Sequence, residues 1–192
     1  MIPAALIVLA NLGRPRRPSG APAPHSEPVL PDPAAARDQL AELVPGPIGE
    51  ADLPALRRVQ QFALAAAEAV LEGRPVDCAE ITALARGSTA HLELTAAAGR
   101  LRRDLVWSDG SIPAGLARRL IEELAALEPG RLRRCARSGC DLVFYDTTRS
   151  RTRRWHAEDP CGWRERQRHR RTHSGPSPGQ PADQLLADEH AE

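Results

Sequence analysis

Lysine is missing altogether. All 26 basic residues among the 192 are arginine. The gap reads as a GC-rich coding bias rather than as chemistry, yet it leaves every cation able to grip a phosphate in bidentate fashion. No uncharged apolar run is long enough to be a membrane helix. The apolar opening MIPAALIVLAN is too short to span a bilayer and has no positive residue ahead of it, which argues against a signal peptide. Also lacking are a nucleophile elbow, a glycine-rich phosphate loop and a His-Glu-x-x-His helix. Nothing pairs the scattered carboxylates, so no catalytic residue is assigned and an enzyme is not expected. Cysteine is scarce, with four in the chain. Three fall in one segment and Cys78 has no obvious partner, which speaks against a disulfide framework and for a reducing compartment. The expected location is the cytoplasm, away from membranes.

What is present is concentrated between Arg131 and His173. This stretch holds three cysteines, two of the three tryptophans and half of the arginines. Its sulfur and nitrogen donors read Cys135-x4-Cys140-x15-His156-x4-Cys161. Two close donors, a spacer of hairpin length and two more close donors form the layout of a tetrahedral structural Zn2+ site. Four protein ligands leave no open position for a substrate. Between the pairs, Leu142-Val143-Phe144-Tyr145-Asp146 is a β-branched and aromatic run that predicts a strand, with Thr147 to Ser150 as a turn and Arg151 to Trp155 as the return strand. After Cys161, GWRERQRHRRTH predicts a helix of about three turns. His169 and His173 on that helix are competing donors, read as surface residues. Phe144 is read as finger core. Trp155 and Trp163 are expected to pack the hairpin against the helix rather than to stack on bases. So short a unit has little core of its own, and metal is expected to supply much of its stability.

RLRRC, then C-x3-F-x-D-x-T-R across Cys140, Phe144, Asp146, Thr148 and Arg149, then RRW and CGWR resemble the CGNR zinc finger. That finger stands at the C-terminus of many bacterial proteins that carry an ABATE domain in front. The resemblance covers about forty residues. His156 stands where the family usually has cysteine, Trp163 replaces the asparagine of the name-giving motif, and Ser150 replaces another asparagine. ALIVLANLGRP resembles the opening of an ABATE domain, which usually begins slightly earlier. The resemblance implies a transcriptional regulator with the finger as its DNA-binding module and an N-terminal domain that senses an unidentified effector or binds a partner.

Charge is unevenly spread. Residues 131–173 carry 13 arginines against five carboxylates, while the rest of the chain is net acidic. A basic end on an acidic body predicts an anionic partner for the finger. Arg164, Arg168 and Arg171 share one face of the predicted helix, and Arg166 and Arg170 another. Like charges at that spacing repel, and nucleic-acid phosphate would relieve them. Arg149, Arg151, Arg153 and Arg154 add candidate contacts from the hairpin. DNA is the expected partner, with RNA or an acidic protein face as alternatives.

The remaining sequence predicts a mainly α (α+β) fold in three parts: a helical domain over 1–130, the finger over 131–173 and a disordered tail over 174–192. Residues 2–10 read as helix or strand, and periodicity does not decide. Arg14 to Pro31, rich in proline, reads as a surface loop. Asp32-Pro33 starts a helix running to about Leu43, ahead of Pro45-Gly46-Pro47. A longer helix begins near Asp52, with Leu56, Val59, Ala63, Ala66, Ala67 and Val70 in one stripe, and ends at Gly73. A third opens at Asp77, with Glu80 completing a capping box, Ile81, Leu84 and Ala85 inward, and Cys78 buried. Alternation at Ala90, Leu92 and Leu94, and again from Leu101 to Trp107, predicts a β-hairpin with Trp107 in the core. Ser111 starts a fourth helix with Leu116, Leu120, Leu124 and Leu127 on one face, and Pro129-Gly130 ends it. His91 is assigned no role.

Overall fold

AALIVLAN folds as helix α1 (Ala4–Asn11), which settles the ambiguity of that run. It is apolar on nearly every side, and such a helix is stable only when enclosed. Its Ala5, Leu6, Leu9 and Ala10 are buried. The computed structural model describes residues 2–12, 30, 32–44, 46–97 and 100–173. The expected loop from Arg14 to Pro31 lies outside the described residues except for Leu30, as does the expected tail over 174–192. Around α1 the chain forms α2 (Pro33–Leu40), α3 (Leu53–Leu71), α4 (Ala79–Ala85), β1 (Ser88–Ala97), β2 (Arg100–Asp109), α5 (Ile112–Ala125), β3 (Leu132–Arg134), β4 (Val143–Tyr145) and α6 (Trp163–His173). The architecture is mostly helical with two small antiparallel sheets. No helix among the described residues is long and apolar enough to cross a membrane.

Local signals account for most helix boundaries. Asp32 caps α2, its carboxylate accepting from the Ala35 N–H at 2.8 Å, with Pro33 at the first helical position. Leu56, Val59, Ala63, Ala66 and Ala67 of α3 form the predicted stripe and are buried against α1 and α5. Gly73 ends that helix at φ +66, where a Cβ would be strained. Ser111 caps α5 through the Ala114 N–H, and Leu116 and Leu120 face the core.

Three expectations fail in this part. Asp77 holds the Ala79 N–H, but Glu80 turns outward to an ion pair with Arg58 and forms no capping box. Cys78 is exposed, because it precedes a helix of only two turns and bonds to the Val76 carbonyl rather than to the core. The β1–β2 hairpin exists in the predicted place, with Leu92 opposite Leu105 and Ala90 opposite Trp107. Its apolar face, however, does not meet the core. Trp107 remains 40% exposed beneath the Arg118 guanidinium, 4.7 Å from the ring centre. That guanidinium also clamps Asp109 at the hairpin base through two 3.0 Å bonds and holds its carboxyl below the usual range.

Candidate metal centre

β3 and β4 set the stage for the metal centre. They pair antiparallel, with Leu132 opposite Tyr145 and Arg134 opposite Val143. The return partner of β4 is thus RLRR upstream of Cys135, not Arg151 to Trp155 downstream. The predicted return strand is a loop, because its hydrogen bonds go elsewhere. Buried Asp146 organises it, accepting from the Thr148 N–H (2.9 Å), the Thr148 hydroxyl (2.6 Å) and the Arg153 N–H (2.9 Å). Those donors, with Thr148 acting most strongly, hold its carboxyl below the usual range. Arg131 and Arg133 donate to carbonyls across the same loop at Asp146, Thr148 and Arg151. Arg153 sits over the Phe144 ring at 5.3 Å and donates to the Trp155 and His156 carbonyls, which fixes the backbone at His156.

This wrapping brings the four predicted ligands together. The donor atoms of Cys135, Cys140, His156 and Cys161 all lie within 4.8 Å of one another. His156 Nδ1 is 3.5 Å from Cys140 Sγ. The turn between the first two cysteines is closed by the Cys140 N–H on the Arg137 carbonyl and by Gly139 at φ +74. Cys135 and Cys161 are buried and Cys140 and His156 half-buried. Burial pushes the Cys140 thiol up to about 12, and Cys135 and Cys161 beside it add to the rise, against the pull of the Leu142 N–H. A cation among the sulfurs would displace those protons and reverse the penalty, and three sulfurs with one imidazole nitrogen fit tetrahedral zinc. The Arg137 guanidinium, 3.7 Å from Cys161 Sγ, offsets part of the thiolate charge from outside. His169 and Cys78 lie outside the cluster.

The finger is fastened to the helices. Asn11, at the end of α1, donates to the Val143 carbonyl at 2.8 Å and accepts from the Val143 N–H at 2.9 Å, as a third strand would. Arg134 pairs with Glu68 of α3. Leu132 and Val143 belong to the same buried cluster as α1, α3 and α5. Nothing in the sequence marked Asn11 for this role, since a lone polar residue at a helix end carries no pattern.

The nine arginines proposed to meet nucleic acid are sorted by the structure. Arg153 points inward, as described. Arg151, at φ +55, pairs with Glu128. Arg166 pairs with Glu158, and Arg168 with Glu165. Arg154 and Arg166 lie over Trp155 at 5.4 and 5.9 Å. Arg164 is half-buried near the start of α6. Arg149, Arg170 and Arg171 are exposed and have no carboxylate partner among the described residues. Phe144 is buried as expected, whereas Trp163 is 53% exposed and does not pack the hairpin against α6.

A hairpin and a helix joined through a Cys3His cluster define a zinc finger. Residues 131–173 match the family model described as the CGNR zinc finger, so this segment is a CGNR zinc finger domain. No curated protein resembles the chain closely enough to count as a match.

Proposed function

We propose that the chain is a DNA-binding transcriptional regulator in which zinc is structural and the finger's arginines grip the phosphate backbone. The supporting observation is an excess of outward guanidinium groups on a scaffold fixed by the Cys3His cluster. Arg149 and Arg154 of the loop and Arg170 and Arg171 of α6 are each exposed, and Arg164, Arg166 and Arg168 lie on the same helix as the latter two. Phosphate contacts of this kind set affinity and orientation, while any sequence choice comes from a few side chains at groove edges. No catalytic step is assigned. The helical part, whose ALIVLANLGRP opening resembles the ABATE domain, would sense an effector or bind a partner.

Fluorescence anisotropy of the zinc-loaded chain with random duplex DNA tests this reading. Binding is expected at low salt, with a steep loss as salt rises. Absence of binding at low salt ends the proposal. Exposed Trp163 beside the arginines favours a second reading, in which an unpaired base stacks on the indole. Competition between single-stranded RNA and duplex DNA separates the two. A chain that ignores both but retains an acidic protein would be a docking module instead.

A further inference from the structure

The β1–β2 hairpin has one apolar face, and nothing among the described residues covers its outer part. Leu92 is 63% exposed, Leu94 72%, Leu101 72% and Leu105 54%, with Trp107 at 40%. The register places these residues with Ala90 and Ala96 on one face, and Thr89, His91, Glu93, Thr95, Arg102, Val106 and Ser108 on the other. Helix α5 meets the hairpin at its base, where Arg118 holds Asp109 and covers Trp107. A two-stranded ribbon with its apolar side in water is marginal alone, and so long an unpartnered face is a mark of an interaction site.

We infer that this face is a homodimer interface, on which the hairpin of a second copy of this chain seats its own apolar face. The rungs argue for a copy. From base to tip they run Ser88–Asp109, Ala90–Trp107, Leu92–Leu105, Leu94–Arg103 and Ala96–Leu101, with the leucine pair in the middle. A twofold axis through that middle rung sets leucines on leucines. It also sets the Ala90–Trp107 rung of each copy against the Leu94–Arg103 rung of the other. Small Ala90 then meets large Leu94, and the aliphatic stem of Arg103, the one cation on the outer part of this face, comes against the exposed part of Trp107, whose ring already carries Arg118. The ion pair between His91 and Glu93 stays on the solvent side. The exposed apolar surface amounts to on the order of 500 Å2 per copy, so a closed pair buries about 1,000 Å2, the lower bound for a specific interface. An interface of that size suits a reversible dimer rather than an obligate one.

Analytical ultracentrifugation of the full zinc-loaded chain is the test. The expected result is a monomer–dimer equilibrium. The double variant Leu92→Asp/Leu105→Asp should raise the dissociation constant at least 100-fold while zinc content and helicity stay unchanged. Hydrogen exchange on the unaltered chain needs no variant. Amides of 88–97 and 100–109 should slow as concentration rises through the dissociation constant. A mass of one chain at about 100 µM overturns the inference, as does a dimer that survives both aspartates. Slow exchange that does not depend on concentration in a monomer overturns it too, since another part of the same chain would then cover the face.

Discussion

The helical body and the finger are held together by different means. The body relies on apolar side chains from α1, α3 and α5 closing around one another, with few buried polar groups among them. The finger has too few apolar residues for that. It is held by a buried carboxylate, by arginines that donate to loop carbonyls, and by the Cys3His cluster. Yet the two are not separate objects, because β3 and β4 contribute Leu132 and Val143 to the body's core. The difference teaches that a metal-held segment can be locally autonomous in its loop and dependent in its strands.

Removing the metal should break the comparison most strongly. A structural zinc is worth on the order of 10 kcal/mol to the segment that binds it, so chelation should unfold the loop from Cys135 to α6. If the strands are shared as described, the body's melting temperature falls as well, by several degrees. Circular dichroism with and without chelator measures both, and an unchanged body would mean that the junction transmits nothing. Within the ligand set, His156→Ala should lower zinc per chain, while His156→Cys should retain it, as metal analysis would report.

The junction itself is next. Asn11→Ala leaves the Val143 N–H and carbonyl without their side-chain partner, at a cost of about 2 kcal/mol, read by urea denaturation. Gly139→Ala forces a Cβ into the left-handed region and should cost roughly 1–2 kcal/mol, felt in the finger and sparing the body. Acid sharpens the contrast further. Asp146 has a folded pKa below its unfolded value of about 3.9. Its contribution is therefore complete above that value and fades as pH falls through the lower folded one. Acid also protonates the thiolates and releases the metal, so the contribution of Asp146 is isolated by Asp146→Asn at neutral pH with zinc bound, where hydrogen exchange at the Thr148 and Arg153 amides should rise before the body opens. The smallest effect on stability comes from Arg170→Ala and Arg171→Ala, within about 0.5 kcal/mol. If these residues meet DNA, each lowers the salt slope of binding by about 0.9, which anisotropy titrations would show.

How much of this was legible in the sequence follows from the range of each signal. Asp32-Pro33, Gly73 and Ser111 act within a few residues of themselves, and the helix ends they predict are present. The spacing of Cys135, Cys140, His156 and Cys161 is equally explicit, since ligand chemistry leaves few other uses for such a set. The strand pairing of the finger was misread because RLRR looks like a charge run. Its extended form depends on Leu132 reaching the core and on Arg131 and Arg133 meeting the loop around Asp146, all long-range facts. Alternation at Leu92, Leu94 and Leu105 told which residues share a face but not what lies opposite that face. The same reasoning misplaced Trp107, Cys78 and Trp163. Period and propensity say which side chains travel together, and only the fold decides whether their destination is protein or water.

Helix α1 lacks a side-chain cap of its own, Pro3 preceding it. Its Ala5 and Leu6 amides are instead received by the two carboxylate oxygens of Glu123 at 3.0 and 2.9 Å, from a residue 118 and 117 positions further on. Synthesis runs from N- to C-terminus, so α1 is made more than a hundred residues before the carboxylate that caps it. Until α5 follows, the apolar surface of α1 must be sheltered by collapse or by a chaperone.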